Sequence, residues 1–242
     1  MTYCVGLKLN EGLVLLSDTR TNAGLDNIAT YRKMFFFENP GERVIAILTA
    51  GSLSVTQTTV ARLREAVADE MADETTSIMK APTMLQVASI IGDCLARTRR
   101  EISDQLRDLR QTQASASLIV AGQRAGGDMR LFLIYPEGNF IEATEDTPFL
   151  QIGEHKYGKP ILDRVITPAT NLEDAQKAVL LSMDSTLRSN LSVGMPLDLA
   201  VIEKDTCKVT RRRRILEGDP DFMRISAAWS AALRDSFVKI TL

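Results

Sequence analysis

Four of the five helix-forming segments of this chain occur in two pairs, and whole groups of strand-forming segments separate the pairs from each other and from the last helix. The spacing of apolar residues predicts strands within 2–48, 116–143 and 197–210, and helices over 54–71, 83–111, 160–166, 172–188 and 221–237. This order does not fit alternating β-α-β units. It predicts a layered α+β domain in which two antiparallel sheets pack face to face and the helices cover their outer surfaces.

The first fifty residues contain four predicted strands. Residues 5–9 and 13–16 are predicted to form a hairpin about the turn at Glu11, and strands over 32–37 and 44–48 follow. We expect these four strands to form one antiparallel meander. The fourth is nearly continuous in apolar residues, which predicts that both of its faces are covered.

Length and charge limit the organisation and the partners of the protein. A chain of 242 residues with 45% hydrophobic and 25% charged residues is predicted to form one domain over 1–242, with a helical extension at about 215–242. The net charge of −2 gives no indication of a nucleic-acid or membrane partner, and no apolar run is long enough to span a bilayer. The arginine run 211–214 predicts a solvated strand edge, with a nucleic-acid or subunit contact as alternatives.

The cysteines and the single histidine restrict the site chemistry. Cys4, Cys94 and Cys207 are odd in number and widely spaced, which argues against a disulfide framework or a zinc site and indicates the reducing cytoplasm. The first residues do not have the pattern of a signal peptide. His155 is the only histidine, which excludes a metal site with several histidine ligands.

Thr2 is the candidate nucleophile. Removal of Met1 would leave a chain that begins at Thr2, with a free α-amine beside its hydroxyl group. The α-amine has an ordinary pKa of about 7.7–8.0, so part of it is neutral near pH 7 and can accept the hydroxyl proton. Taken alone, a threonine at this position is also consistent with a processed terminus that has no role.

Three further residues are candidates to support Thr2. The predicted hairpin places Asp18 near Thr2, and Lys33 lies beside the start of the third predicted strand. A lysine held near the α-amine by a carboxylate would lower the pKa of that amine through like-charge repulsion. Gly51 lies at a strand-to-helix junction, where a backbone N–H can stabilise an oxyanion. Taken separately, a turn aspartate, an edge lysine and a turn glycine explain these residues equally well.

Taken together, these residues resemble a known family. Segments 2–6 and 11–21, with Gly24, Lys33 and 50–52, resemble the β-type subunits of proteasomes, which are N-terminal nucleophile hydrolases and include HslV. The start at Met-Thr is similar to HslV, whereas segment 185–194 resembles the bacterial proteasome-like Anbu proteins more closely. The resemblance implies a four-layer αββα sandwich that assembles with itself into a ring or an open helical ring. It implies Thr2 as nucleophile and base, Asp18 and Lys33 as supporting residues, and Gly51 N–H as oxyanion donor.

The second half of the family's site departs from the usual pattern. The family carries an Asp-x-x-Ser-Gly motif near its last helix, and the equivalent spacing here gives Ser189-x-x-Ser192, with Asp184 the nearest aspartate. The Gly-Ser pair expected before the preceding helix is replaced by Gly153-Glu154. The resemblance makes Ser189 and Ser192 the candidates for this half of the site, and leaves open whether Asp184 or Ser189 fills the position.

The leading hypothesis is a cytoplasmic, self-assembling threonine peptidase or amidohydrolase that acts on a peptide or amide without a metal or organic cofactor. One alternative is a catalytically silent assembly subunit of the same fold. Another is a related hydrolase of a small non-peptide amide. HslV-like peptidases depend on an unfoldase, and such a partner stays open because no segment of the sequence identifies a docking site.

Overall fold

Seventeen secondary-structure elements make up the described chain. The computed structural model describes residues 2–22, 28–107 and 114–241. The strands are β1 (Tyr3–Lys8), β2 (Gly12–Asp18), β3 (Arg20–Asn22), β4 (Ile28–Thr30), β5 (Met34–Asn39), β6 (Arg43–Gly51), β7 (Ala116–Arg124), β8 (Arg130–Ile134), β9 (Phe140–Glu142), β10 (Phe149–Gly153), β11 (Leu197–Glu203) and β12 (Arg211–Ile215). The helices are α1 (Leu53–Ala68), α2 (Met84–Arg107), α3 (Lys159–Val165), α4 (Leu172–Ser189) and α5 (Pro220–Lys239).

Two five-stranded antiparallel sheets form the centre of the molecule. The first sheet has the strand order β10-β1-β2-β11-β12, and the second has the order β5-β6-β7-β8-β9. Within the described residues, the short strands β3 and β4 pair with each other and with no other strand, and they lie in the chain between β2 of the first sheet and β5 of the second. In the hairpin of β1 and β2, Cys4 pairs with Ser17 and Lys8 pairs with Leu13, as the predicted turn requires.

Three apolar clusters correspond to the three interfaces of a four-layer sandwich. Val5 and Leu7 of β1 pack outward against α3, α4 and α5. In β6, Ile45 and Ile47 pack outward against α1 and α2. Alternate residues of both sheets, such as Cys4, face inward and form the cluster between the sheets. These clusters confirm the α+β sandwich with helices on both outer surfaces.

The meander expected for the first fifty residues is wrong. The strands β1 and β2 belong to the first sheet, whereas β5 and β6 belong to the second. Both β2 and β6 are buried along nearly their whole length, so each needs a helix layer on one side and the other sheet on the other. The residues between Asp18 and Met34 connect the two sheets. The continuous burial of 44–48, in contrast, confirms the prediction that both faces of this strand are covered.

Two further differences concern the edges of the first sheet. Strand β10, which pairs with β1, follows a polar stretch and was not predicted. The last strand is Arg211–Ile215 instead of 208–210, so the arginine run is the strand itself. Its arginines alternate in direction. Arg211 reaches Gln176 of α4 and Arg213 reaches Asp219, whereas Arg212 and Arg214 reach Glu38 and Asp198.

The predicted helices are present within one to three residues at the ends that are described. The second was predicted to reach 111, and its residues 108–111 lie outside the described residues. Gly24, which contributed to the family resemblance, also lies outside them. At the C-terminal end of the chain, α5 leaves several large apolar side chains exposed, with Phe237 at 78% and Val238 at 80%. No helix among the described residues is long and apolar enough to cross a membrane.

Candidate active site

Thr2 lies at the end of the sandwich where β1 begins. Its residue is only 7% exposed, and its carbonyl oxygen accepts a hydrogen bond from the backbone N–H of Glu154 at 2.7 Å. The next residue, Tyr3, pairs with Gly153 at the end of β10. The unpredicted strand β10 therefore holds Thr2 on one side, and the Gly153-Glu154 pair singled out in the sequence lies directly beside it.

Asp18 lies on the other side of β1 and is completely buried. Its Oδ1 accepts a hydrogen bond from the backbone N–H of Tyr3 at 3.1 Å and from Lys33 Nζ at 2.7 Å. Its Oδ2 faces the backbone N–H of Gly194 at 3.4 Å. The hairpin thus brings the carboxylate to within one residue of Thr2, where the sequence predicted it.

Lys33 immediately precedes β5 and extends from the second sheet toward the first. Its Nζ donates to Asp18 Oδ1 and to the carbonyl oxygen of Arg20 at 2.6 Å, and its side chain is 6% exposed. Its own carbonyl oxygen accepts from Thr49 N at 2.9 Å, which fixes its backbone to β6. The ammonium group is therefore held in one position beside the start of β1.

The electrostatics of Asp18 reflect its burial and its donors. Burial raises the pKa of the Asp18 carboxyl group. Lys33 and the backbone N–H groups of Tyr3 and Gly194 act in the opposite direction, because each of them stabilises the carboxylate. The charged partner and the N–H groups thus offset part of the cost of placing this carboxyl group inside the protein, and burial remains the larger effect.

Gly51 ends β6, two residues before α1 begins. Its φ of +108° is in the region that favours glycine, and a Cβ atom here would lie 2.3 Å from the carbonyl oxygen of Ser115. The following helix has no side-chain cap at Ser52 and no acidic residue in its first turn. Two residues before Gly51, Thr49 O accepts a contact from Cys4 Sγ at 3.6 Å, which ties this strand end to β1. Gly51 thus lies between the end of β6 and the N-terminus of α1, and its role as an oxyanion donor stays a prediction.

The second-half candidates lie at the end of α4. Ser189 is the last helical residue and is exposed, and the structure gives it no contact with Thr2. Ser192 is half-buried and lies two residues before Gly194, the residue whose N–H faces Asp18. Asp184 accepts from Arg188 Nε at 3.0 Å. Because Arg188 also donates to Ser226 of α5, Asp184 lies on the side of α4 that faces α5.

Several residues that contribute to this site were not singled out from the sequence. The carbonyl oxygen of Arg20 accepts from Lys33. The Arg20 side chain donates from Nη1 to Leu191 O at 3.0 Å, which fixes the loop before Gly194. Tyr3 is fully buried, and its hydroxyl group lies 2.6 Å from Ser182 Oγ. Both Arg20 and Tyr3 lie in the segments that carry the family resemblance, but the sequence assigned neither of them a role in the site.

The described residues contain no group of three or more His, Cys, Asp or Glu side chains arranged to hold a metal ion. Cys4, Cys94 and Cys207 are buried free thiols.

A family model of proteasome subunits matches residues 2–202 of the chain. The chain belongs to the proteasome-subunit family. Among solved structures, it is similar to a Gly-1 mutant of Anbu from Hyphomicrobium sp. strain MC1, with 51% identity over 100% of this chain and 99% of that one and a TM-score of 0.93. No curated protein matches it significantly.

Two other Anbu structures show the same likeness. Anbu from Yersinia bercovieri, described as an ancestral β-subunit, is 43% identical over 99% of this chain and 97% of that one, with a TM-score of 0.91. The helical assembly of the Anbu complex from Pseudomonas aeruginosa gives 44% identity, the same coverage and a TM-score of 0.92. These neighbours confirm the resemblance to Anbu proteins, and the proteasome-subunit family accounts for the sandwich of two sheets and outer helices.

Proposed function

We propose that this proteasome-family protein is a cytoplasmic, self-assembling threonine peptidase or amidohydrolase whose nucleophile is Thr2 after removal of Met1. The observation that carries the proposal is the shared oxygen of Asp18. Asp18 Oδ1 accepts both Lys33 Nζ at 2.7 Å and the N–H of Tyr3 at 3.1 Å, which places a buried ion pair directly behind Thr2. Burial strengthens the field of such a pair at the adjacent α-amine.

The proposed reaction is acyl transfer. The α-amine of Thr2 takes the hydroxyl proton while the hydroxyl oxygen attacks the amide carbonyl. The Gly51 N–H stabilises the oxyanion, and the amine returns the proton to the leaving nitrogen as the C–N bond breaks. Water then hydrolyses the resulting ester and regenerates Thr2. In this scheme Lys33 keeps the α-amine neutral near pH 7 through like-charge repulsion, and Asp18 keeps Lys33 in place.

Self-assembly is supported by the surface of α5. Met223, Phe237 and Val238 of α5 and Ile240 just beyond it are between 60% and 80% exposed, which leaves large apolar side chains uncovered along and after a long helix. The similar Anbu from Pseudomonas aeruginosa forms a helical assembly. We propose that second copies of this chain cover these side chains in a ring or an open helical ring.

The function is tested by cleavage of peptide and small amide substrates by the unaltered protein and two variants. Thr2→Ala removes the nucleophile and is expected to abolish cleavage, whereas Thr2→Ser keeps a hydroxyl group and is expected to retain measurable cleavage. Full activity of Thr2→Ala would contradict the proposal. Cleavage of small amides but not of peptides would favour the alternative that the protein hydrolyses a small non-peptide amide.

One observation bears on the silent assembly subunit. Asp184 is engaged by Arg188, which leaves Ser189 and Ser192 as the candidates near the end of α4. A protein that assembles but cleaves neither substrate class, and whose Thr2 reacts with no probe, would be the silent subunit.

A further inference from the structure

A groove of about 200 Å³ opens between the two sheets at the end of the molecule that carries the candidate site. Met34 and Phe36 of β5 form its apolar side, and both pack against the cluster between the sheets. Arg32, Arg214 and Asp198 are among its polar residues. We call it the arginine groove.

The groove begins beside the ion pair behind Thr2. Arg32 and Met34 flank Lys33 in the chain, and Asp198 follows Leu197, the residue that pairs with Asp18 across β2 and β11. Since adjacent strands lie about 4.8 Å apart, the β11 side of the groove lies about 10 Å from the start of β1, and the backbone of Arg214 on β12 lies about 14 Å from it. A substrate attacked by Thr2 would therefore reach the groove with one or two of its residues.

The charge of the groove is positive. Arg212 is paired with Glu38, and Arg214 lies 3.4 Å from Asp198, so these carboxylates are already engaged. Arg32 is exposed and makes no hydrogen bond or close ion pair with the described residues, although its charge stabilises the Asp198 carboxylate from a longer distance. The balance is three guanidinium groups against two carboxylates, and unused N–H donors remain on Arg32 and Arg214. Guanidinium groups bind carboxylates with charge-assisted hydrogen bonds.

Strand alternation explains why these groups face the groove. Arg214 pairs with Asp198 and Arg212 pairs with Ala200, and Ala200 belongs to the cluster between the sheets. Arg211 and Arg213 point to the opposite face, toward Gln176 and Asp219. The arginine run thus supplies two guanidinium groups to the helix layer and two to the space between the sheets.

We propose that the arginine groove binds a carboxylate of the substrate, so that the protein prefers peptides or amides with an acidic residue next to the scissile bond. The inference rests on the proposed function, because it concerns the substrate of Thr2. Arg32 and Arg214 are its specificity-determining residues.

The test compares labelling of Thr2 by peptide epoxyketones. Each probe carries Glu, Gln or Lys either as the residue that bears the epoxyketone or as the residue before it. Rates are followed by intact mass spectrometry at low and high salt. The Glu probe is expected to react about tenfold faster than its uncharged Gln isostere, as one charge-assisted contact allows, and the ratio is expected to fall at high salt. Arg32→Gln is expected to reduce the ratio to about two. Arg211→Gln, on the other face of the same arginine-rich strand, is expected to leave it unchanged.

The outcomes separate this inference from the function on which it rests. Equal rates for the Glu and Gln probes, faster reaction of the Lys probe, or an unchanged ratio in Arg32→Gln would overturn the acidic preference while Thr2 remained a nucleophile. Failure of all probes to label Thr2 would overturn the proposed function and the preference together. Because Arg32 is exposed, its replacement does not put folding at risk.

Discussion

The backbone N–H of Glu154 donates a hydrogen bond to the carbonyl oxygen of Thr2 at 2.7 Å. There is no room for a side chain at the preceding residue, Gly153. A Cβ atom on Gly153 would lie 1.9 Å from that same carbonyl oxygen, at a φ of +82°. We expect Gly153→Ala to displace Thr2. Its labelling by a threonine-directed probe should slow at least tenfold, because small errors in placing a nucleophile are costly.

The turn glycine Gly126 provides the matched control for Gly153→Ala. Its φ of +73° imposes the same backbone penalty, but no atom lies within 4 Å of a Cβ placed there. We expect Gly153→Ala to lose about 1–3 kcal/mol more free energy of unfolding than Gly126→Ala, measured by denaturant titration. Equal losses in stability and unchanged labelling in both variants would show that the Thr2 carbonyl is not held by this contact.

The ion pair of Lys33 and Asp18 provides a second prediction. Lys33→Met keeps the length of the side chain but leaves the completely buried Asp18 without its cation. We expect the free energy of unfolding to fall by about 3–5 kcal/mol, as for other broken buried pairs. Lys177→Met breaks an ion pair with Asp174 in which both side chains are about half exposed, and should change stability by less than about 1 kcal/mol. Similar losses in both variants would contradict this account of the site.

The hydroxyl group of Tyr3 makes stability depend on alkaline pH. Burial raises the pKa of Tyr3 from 10.0 to about 12 in the folded protein. Above pH 10 the unfolded chain loses this proton while the folded protein keeps it, so the contribution is complete below pH 10 and is lost as pH rises toward 12. The loss amounts to about 3 kcal/mol.

Denaturant titration between these pH values, compared with Tyr3→Phe, isolates the contribution of Tyr3. The variant lacks the titrating group, so its free energy of unfolding should fall less steeply with pH than that of the unaltered protein. In the most alkaline range, tyrosinate absorbance of the folded Tyr3→Phe variant should show one titrating tyrosine fewer than that of the unaltered protein. A parallel decline in both proteins would assign the alkaline loss to other groups.

The helix α5 provides a prediction on assembly. Phe237 and Val238 are each about four-fifths exposed, so replacing both by Ser should leave the fold of the described chain intact. We expect the unaltered protein to elute as an oligomer in size exclusion with light scattering, and the double variant to shift toward the 26.7 kDa monomer. A purely monomeric unaltered protein would end the assembly proposal, and an unchanged oligomer in the variant would place the interface elsewhere.

The first half of the candidate site could be predicted from the sequence because it is local. The turn at Glu11 fixes the register of β1 and β2, and that register brings Asp18 to Tyr3. Lys33 needed one further step, since it immediately precedes a strand of the other sheet. The family resemblance supplied that step, whereas the expected four-stranded meander would have placed Lys33 incorrectly.

The rest of the site depends on contacts between distant segments, which periodicity does not encode. Strand β10 reaches the start of β1 across about 150 residues of sequence, and Gly194 reaches Asp18 across 176 residues. The sequence predicts a solvated edge for the arginine run, because the alternation of its side chains has meaning only when both neighbouring layers are known. The sequence therefore predicts a strand at the edge of a sheet, as β12 is, but does not predict the groove beside it.

Intact mass spectrometry of the purified protein, before and after a threonine-directed epoxyketone, tests the central claim most directly. The account predicts loss of Met1 and one probe adduct on Thr2, with none on Thr2→Ala. A retained Met1, or a free Thr2 that forms no adduct under conditions where a known threonine peptidase does, would contradict it.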